Sequence, residues 1–221
     1  MRQTLVHRFF ELDKKDRKMY MLQVTTLNTM IIAIVKLTFG IIYSSIWFLS
    51  NAVFYSILSF FRYRSVRDYR RIKKELNIER IKKIEYTNYF YNGWLLMLLG
   101  VAYMLTNIFM YKSQNTNNNL GGYLVYIVVI IALSSSVTAV IELCKYKSKH
   151  DPIVAAVCQS NIAKALTSIV LAQVVVLDEF ASKKINVVKI DSITGIIVSG
   201  LIIFLGFRMV VKIIDNKKSD I

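Results

Sequence analysis

Residues 152–177 have the sequence PIVAAVCQSNIAKALTSIVLAQVVVL, in which Lys164 is the only charged side chain. A membrane-spanning helix needs about 20 mostly apolar residues to cross the hydrocarbon layer. Pro152 is well suited to the first turn of such a helix. The stretch therefore predicts a membrane span, and it places the lysine roughly 16 Å from its start, near the middle of the bilayer.

Five further apolar stretches accompany this one along the 221-residue chain. The predicted spans cover residues 19–43, 47–61, 89–111, 123–144, 152–177 and 191–211. The first two are so close in sequence that they must form a tight helical hairpin. The sequence thus predicts an all-α integral membrane protein, a six-helix bundle in residues 19–211. It is preceded by segment 1–18, followed by a polar tail at 212–221, and has no C-terminal soluble domain.

The charge distribution predicts how the bundle is oriented. The chain has 29 Lys and Arg residues against 14 Asp and Glu, a net charge of +15. These basic residues flank apolar spans instead of forming the polar face of a folded domain, so no nucleic-acid partner is expected. On the side of both termini lie 22 of the 29, and four lie on the opposite side. By the positive-inside rule, the N-terminus and C-terminus are predicted to be cytoplasmic in a multi-pass protein of the cell membrane.

Ten of the basic residues fall in a connector at 62–85, between the second and third spans. Apolar residues recur there every three or four positions, which is compatible with a helix lying on the membrane surface. The simpler interpretation is a solvated loop whose charges fix orientation. In either case we expect anionic lipid at the connector, at roughly 1 kcal/mol per basic residue near the surface. A homodimer, or a membrane or cytoplasmic protein partner, is a further hypothesis.

Two lysines lie inside predicted spans, and an intramembrane charge is a candidate functional residue. Lys36 lies in span one, where a structural role or a side chain extended toward one membrane face is the simpler interpretation. Lys164 lies deeper, and Ser160 and Thr167 share its helical face. In span two, a common face holds further polar and aromatic side chains. The predicted substrate pathway consists of Asn51, Tyr55, Ser160, Lys164 and Thr167.

Signatures of soluble enzymes are missing from the sequence: it has no phosphate loop, no GxSxG, no HExxH and no dinucleotide fingerprint. We therefore expect neither catalysis nor a cofactor. The two cysteines, Cys144 and Cys158, flank a short loop predicted to be cytoplasmic, so a disulfide is not expected. Together with His150 and Asp151 they offer zinc-binding side chains, but their spacing matches no compact zinc motif.

Four stretches together resemble the transmembrane domain of the cation diffusion facilitator family. Asn28, Lys36 and Gly40 lead into two serines, similar to the N…K…G…S run of the first span in that family. Residues 48–59, FLSNAVFYSILS, resemble the family's LADAxHSLxD segment, with Asn51 at its first acidic position. Residues 153–171, IVAAVCQSNIAKALTSIVL, resemble ADAxHxxxDALTS, and span six opens with DSITGIIVS, again similar to a family span.

The resemblance implies a six-helix cation transporter with a tetrahedral metal site at mid-membrane. In the family, an acidic or histidine residue and an aspartate four positions later supply that site from each of spans two and five. The matching positions here are Phe54 and Leu58, then Ser160 and Lys164. None is a good ligand for zinc, manganese or iron. At 4 Å and an effective dielectric of about 20, each pair of unit charges interacts by about 4 kcal/mol, so replacing a carboxylate by a lysine would disfavour a divalent ion by many kcal/mol, and no metal is expected.

Two functions follow as hypotheses. The first is a divergent cation or solute transporter that keeps the helical framework but moves something other than the family's metals. The second is a non-transporting scaffold or regulatory partner, in which Lys164 substitutes for the missing cation and fixes the bundle in one state.

Overall fold

The structure, a computed structural model, describes residues 14–113, 122–146, 152–180 and 187–219, which together form six helices and no strand. The helices are α1 (Lys14–Ile42), α2 (Ile46–Lys74), α3 (Ile78–Ser113), α4 (Gly122–Tyr146), α5 (Pro152–Phe180) and α6 (Val187–Ser219). Most of the predicted N-terminal segment lies outside the described residues.

Within these ranges, four helices are long and apolar enough to cross a membrane. They are Gln23–Ile42 in α1, Ile78–Lys112 in α3, Pro152–Phe180 in α5 and Val187–Asp215 in α6. In α4 a shorter apolar stretch occupies Val125–Ile141. The second half of α2 is rich in Arg and Lys, so this helix does not reach the same hydropathy. The described chain is therefore an all-α bundle with the composition of a multi-pass membrane protein.

Large apolar side chains cover the outside of the bundle. Leu27 of α1, Leu105 of α3, Leu133 of α4 and Phe204 of α6 are each at least 60% exposed. Monomeric soluble proteins rarely expose contiguous apolar surface of this extent, whereas a bilayer provides hydrocarbon for it to contact. The outer surface thus agrees with the hydropathy of the helices.

Packing divides the bundle into two parts that meet at α5 and also where α2 contacts α3. The closest pair is α3 with α6, while α1 packs on α2 and α4 packs on α5. In addition, α5 contacts α2, α3 and α6, so it touches both parts. We refer to α1, α2, α4 and α5 as the polar compartment, for the side chains described below.

The hairpin between α1 and α2 turns within residues 43–45. Ser44 adopts a positive φ of 48°, a left-handed conformation that reverses the chain in a short distance. Just before the turn, a Cβ atom on Gly40 would lie 2.9 Å from the backbone nitrogen of Leu49. The absence of a side chain at Gly40 lets the two helices approach closely beside the turn.

The basic connector is helical on both sides of a three-residue break. Residues 62–74 continue α2, residues 75–77 are not helical, and α3 begins at Ile78. The amide of Glu75 still donates to the carbonyl of Ile72, and the Asn77 side chain accepts the amide of Glu79 as an N-terminal cap. The structure therefore has neither a long loop nor a separate surface helix here.

Polar contacts explain why α2 continues past the predicted end of span two at residue 61. Asn88 of α3 donates to the carboxylate of Asp68 at 2.7 Å and accepts from Ser65 at 3.2 Å. Ser65 and Asn88 are both buried. These hydrogen bonds hold the polar half of α2 against α3, so tertiary packing, not hydropathy, determines the length of this helix.

Candidate functional site

Three cations are buried in the polar compartment. Lys36 of α1, Arg62 of α2 and Lys164 of α5 are 5%, 1% and 6% exposed. Burying a charge is costly unless hydrogen bonds and nearby polar groups compensate for the lost water. The partners of each cation therefore indicate which kinds of ligand the compartment could accommodate.

Lys36 is held by two residues of α2. Its ammonium nitrogen donates to Oδ1 of Asn51 at 3.3 Å and lies 3.9 Å from the ring centroid of Tyr55. The amide nitrogen of Asn51 donates to the carbonyl of Trp47, which turns the amide oxygen toward the lysine. An ammonium over an aromatic face is stabilised by the ring quadrupole. These contacts give the charge an acceptor and a ring, both from the neighbouring helix.

Tyr55 joins the Lys36 environment to α5. Its hydroxyl donates to the main-chain carbonyl of Lys164 at 3.1 Å and is hydrogen-bonded to the hydroxyl of Ser168. Thr167 donates to the same carbonyl at 3.0 Å. One fully buried tyrosine thus contacts both lysine-bearing helices, with its ring on one and its hydroxyl on the other.

Lys164 lies on the predicted polar face of α5, and Ser160 and Thr167 are buried with it. Tyr55 lies between the two lysine-bearing helices, with its ring against the Lys36 ammonium and its hydroxyl on the main-chain carbonyl of Lys164. Two positive charges that interact inside an apolar bundle repel each other, and an effective dielectric below that of water strengthens the repulsion. The compartment therefore favours a negative charge between or beside them.

Arg62 is the residue that the sequence analysis placed wrongly. We expected it in a solvated connector, but its guanidinium donates to the hydroxyl of Thr29 at 2.6 Å and to the carbonyl of Thr25 at 3.4 Å, both in α1. Its other terminal nitrogen donates to Ser160 of α5 at 3.4 Å. The spacing in the sequence could have predicted this burial, because Arg62 follows Tyr55 by seven residues and therefore lies on the same helical face.

The predicted pathway residues are brought together, whereas two of the four vacated ligand positions are not part of that set. Asn51 and Tyr55 meet Lys36, and Tyr55 reaches the backbone of Lys164. Phe54 instead packs its ring on Tyr103 of α3, with centroids 6.0 Å apart. Leu58 is buried in the apolar core. Of the four positions matched to metal ligands, Ser160 and Lys164 therefore lie among the buried cations.

Divalent metals do not fit this chemistry. Among the described residues no three His, Cys, Asp or Glu side chains are grouped so that they could hold an ion. Cys158 is buried. The side chains of Cys144, His150 and Asp151 lie outside the described residues. The partners of Lys36 and Arg62 described above are amide, hydroxyl and carbonyl groups and an aromatic ring.

A cavity of about 230 Å³ adjoins Lys36 between α1 and α4. Lys36 and Ser168 are the polar residues in its lining, which is otherwise apolar. Ile31 and Val35 of α1 border it and are themselves exposed on the outside of the bundle. The cavity therefore connects the lipid-facing surface with the Lys36–Tyr55–Ser168 set.

A carboxylate lies near the other end of α5. Asp191, at the start of α6, is the one buried Asp or Glu among the described side chains. Gln173 donates to it at 3.4 Å and to Thr194 at 3.1 Å. Because Gln173 is nine residues beyond Lys164, it lies roughly 13 Å farther along α5. The Asp191 carboxylate therefore meets α5 at a different level from Lys164, so the buried acidic and basic groups are kept apart.

The sequence was also compared with models of known protein families and with curated proteins, and neither comparison gave a match.

Proposed function

We propose that this chain is a six-span membrane transporter, similar in framework to the cation diffusion facilitators, that moves an anionic solute. The observation that supports this most strongly is the burial of Lys36, Arg62 and Lys164 in one compartment. Buried intramembrane charge commonly marks a substrate or ion pathway. Three buried positive charges attract an anion and repel a divalent metal ion.

The topology belongs to the same proposal. Both termini are cytoplasmic in the cell membrane, and α2 and α4 cross the bilayer with the four more apolar helices. Support comes from the 22 basic residues on one side against four on the other. For α2, the apolar first half and the packing of its buried face against α1, α3 and α5 compensate for its lower hydropathy.

Flux through purified protein in liposomes tests the transport proposal. Chloride, acetate, phosphate and decanoate are each supplied as a gradient, and movement is followed by an anion electrode or by radiolabel. Lys164→Met should reduce flux of the transported anion about tenfold or more, because a charge-assisted contact is worth about 1.5–3 kcal/mol. Lys112→Met, at the exposed end of α3, is the matched control and should leave flux unchanged. If none of the anions moves, or Lys164→Met transports normally, the proposal fails.

One observation favours a second function, a non-transporting scaffold or regulatory subunit. Arg62 links α1, α2 and α5 through Thr29 and Ser160, and Lys36 links α1 to α2 through Asn51, so these charges also hold helices together. A scaffold would lose thermal stability when these residues are replaced while showing no flux in any form. Stable co-purification of one partner protein with the wild-type chain, lost together with stability, would support this second function.

A further inference from the structure

We infer that the cavity between α1 and α4 is a lateral binding site for a single-chain carboxylate amphiphile, a medium-chain fatty acid anion. This inference rests on the proposed function, because it names the class of anion that the transporter would take. The site is entered from the lipid phase, with the carboxylate at Lys36 and the hydrocarbon chain between α1 and α4.

The first argument is the mixed character of the lining. Apolar side chains from α1 and α4, such as Val35 and Val128, face the same space as Lys36. A hydrophilic anion gains nothing from the apolar walls, and an uncharged hydrocarbon gains nothing from the ammonium. A ligand with one charged end and one apolar chain uses both.

The second argument is the unused hydrogen-bonding capacity of Lys36. An ammonium has three N–H donors, and in the described part of the chain Asn51 is the one acceptor it reaches. The face of Tyr55 takes up part of the positive charge. A carboxylate in the cavity would accept from the remaining donors, and Ser168 is a further polar residue in the same lining.

The third argument concerns size and access. A dry apolar cavity of about 150 Å³ is large enough for benzene, so a volume of about 230 Å³ admits a carboxylate with a short length of chain. The rest of the chain can extend past the exposed residues Ile31 and Val35 into the bilayer. Lys36 is six residues from the end of α1, roughly 9 Å inside the helix end, which is deep for the phosphate of a two-chain lipid.

The fourth argument is the connection to the remaining buried charge. Ser168 lines the cavity and is hydrogen-bonded to Tyr55, which in turn donates to the backbone of Lys164. A carboxylate at Lys36 would therefore lie at the edge of the set that joins both lysine-bearing helices, and its negative charge would offset part of the buried positive charge there. The cavity is the entrance to the proposed pathway.

Equilibrium binding to the full chain in phosphatidylcholine nanodiscs tests this inference, with radiolabelled decanoate as the probe. We expect one saturable site per chain. Unlabelled decanol, which has the same chain and no charge, should compete about tenfold less well or worse, because it lacks a charge-assisted hydrogen bond. Acetate and dioleoyl phosphatidylglycerol should not compete at similar concentrations.

Two variants locate the site. Val35→Trp fills the mouth of the cavity from an exposed position, so it should fold normally and abolish decanoate binding. Leu37→Trp, an exposed residue of α1 outside the lining, should bind as the wild type does. Lys36→Met should make the affinities for decanoate and decanol equal. An unchanged melting temperature of the two Trp variants shows that their folding is intact.

Binding that persists in Val35→Trp, equal competition by decanol in the wild type, or displacement by phosphatidylglycerol would overturn the inference. The transport proposal and this inference can fail independently of each other. Acetate or chloride flux without a decanoate site would leave the transport proposal standing and remove this one. A decanoate site without flux of any anion, decanoate included, would keep the binding site and remove the transport proposal.

Discussion

The α3–α6 pair and the polar compartment show two different ways of holding helices together in a bilayer. Between α3 and α6 the backbones themselves approach, through Gly93, Gly100 and Gly206. In the polar compartment, long side chains such as Arg62 and Tyr55 bridge the helices by hydrogen bonds. Since lipid provides little hydrophobic force between helices, packing and hydrogen bonds must supply the association in both places.

This difference indicates which part serves as framework and which part is available for binding. Close backbone contact leaves no room for a ligand, whereas side-chain bridges can be exchanged for contacts to a ligand. The cavity adjoins the second kind of interface, next to Lys36. Each of the following substitutions tests one side of the comparison.

The largest effect is expected from Gly206→Ala. A Cβ atom there would lie 2.6 Å from the carbonyl oxygen of Gly93 and 2.8 Å from the backbone nitrogen of Met97, and backbone cannot move aside as a flexible side chain can. We expect a loss of about 3 kcal/mol, at the upper end of the usual cost of overpacking. Thermal unfolding in detergent measures it. Gly200→Ala meets nothing within 4 Å and should be neutral; equal melting of the two variants would refute close backbone packing.

Arg62→Met should have the next largest effect. It removes the hydrogen bonds to Thr29 and Ser160 while keeping a chain of similar length. Hydrogen bonds to a charged group are worth about 1.5–3 kcal/mol, so we expect a loss of about 2 kcal/mol. Arg67→Met, an exposed residue on the same helix, should change stability by less than about 0.5 kcal/mol. A stability gain in Arg62→Met would mean that the buried charge is retained for function alone.

Tyr55→Phe should have the smallest effect and sharpens the account of Lys36. The ring and its contact with the ammonium remain, while the hydroxyl bond to the carbonyl of Lys164 is lost, at a cost of about 1 kcal/mol. Tyr55→Leu should lose about 1 kcal/mol more through the missing cation–π contact. In a Lys36→Met background that second loss should disappear, and its persistence would assign it to packing.

The sequence allowed the helical class and several apolar spans to be predicted, because length and hydropathy are local properties. It also identified Asn51, Tyr55 and Lys164 as polar residues on inward helical faces, and the structure brings them together. The burial of Arg62 was missed, because ten clustered basic residues were interpreted as one solvated connector. Which arginine of such a run turns inward depends on a neighbouring helix, here on Thr29 of α1, and the pattern of α2 alone does not contain that information.

The pairing of helices could not be predicted either. Gly195 and Ser199 have a small-residue spacing that indicates close contact with some partner, but not which one. In the structure Gly195 lies directly against Asn107 of α3, where a Cβ atom would overlap the amide oxygen. The family resemblance remains a prediction, and so do the cytoplasmic termini, the anionic lipid at the connector and any homodimer.

The glycine contacts have a mechanical consequence. Two helices whose backbones touch at several levels cannot slide or rotate past one another, so α3 and α6 must move as one rigid body. Since α5 contacts both of them and α2 also contacts α3, any conformational cycle has to displace the rest of the bundle against that body at the α5 and α2 contacts. Relative movement therefore has to take place where α5 and α2 meet that body, and Lys164 lies on the first of these two helices.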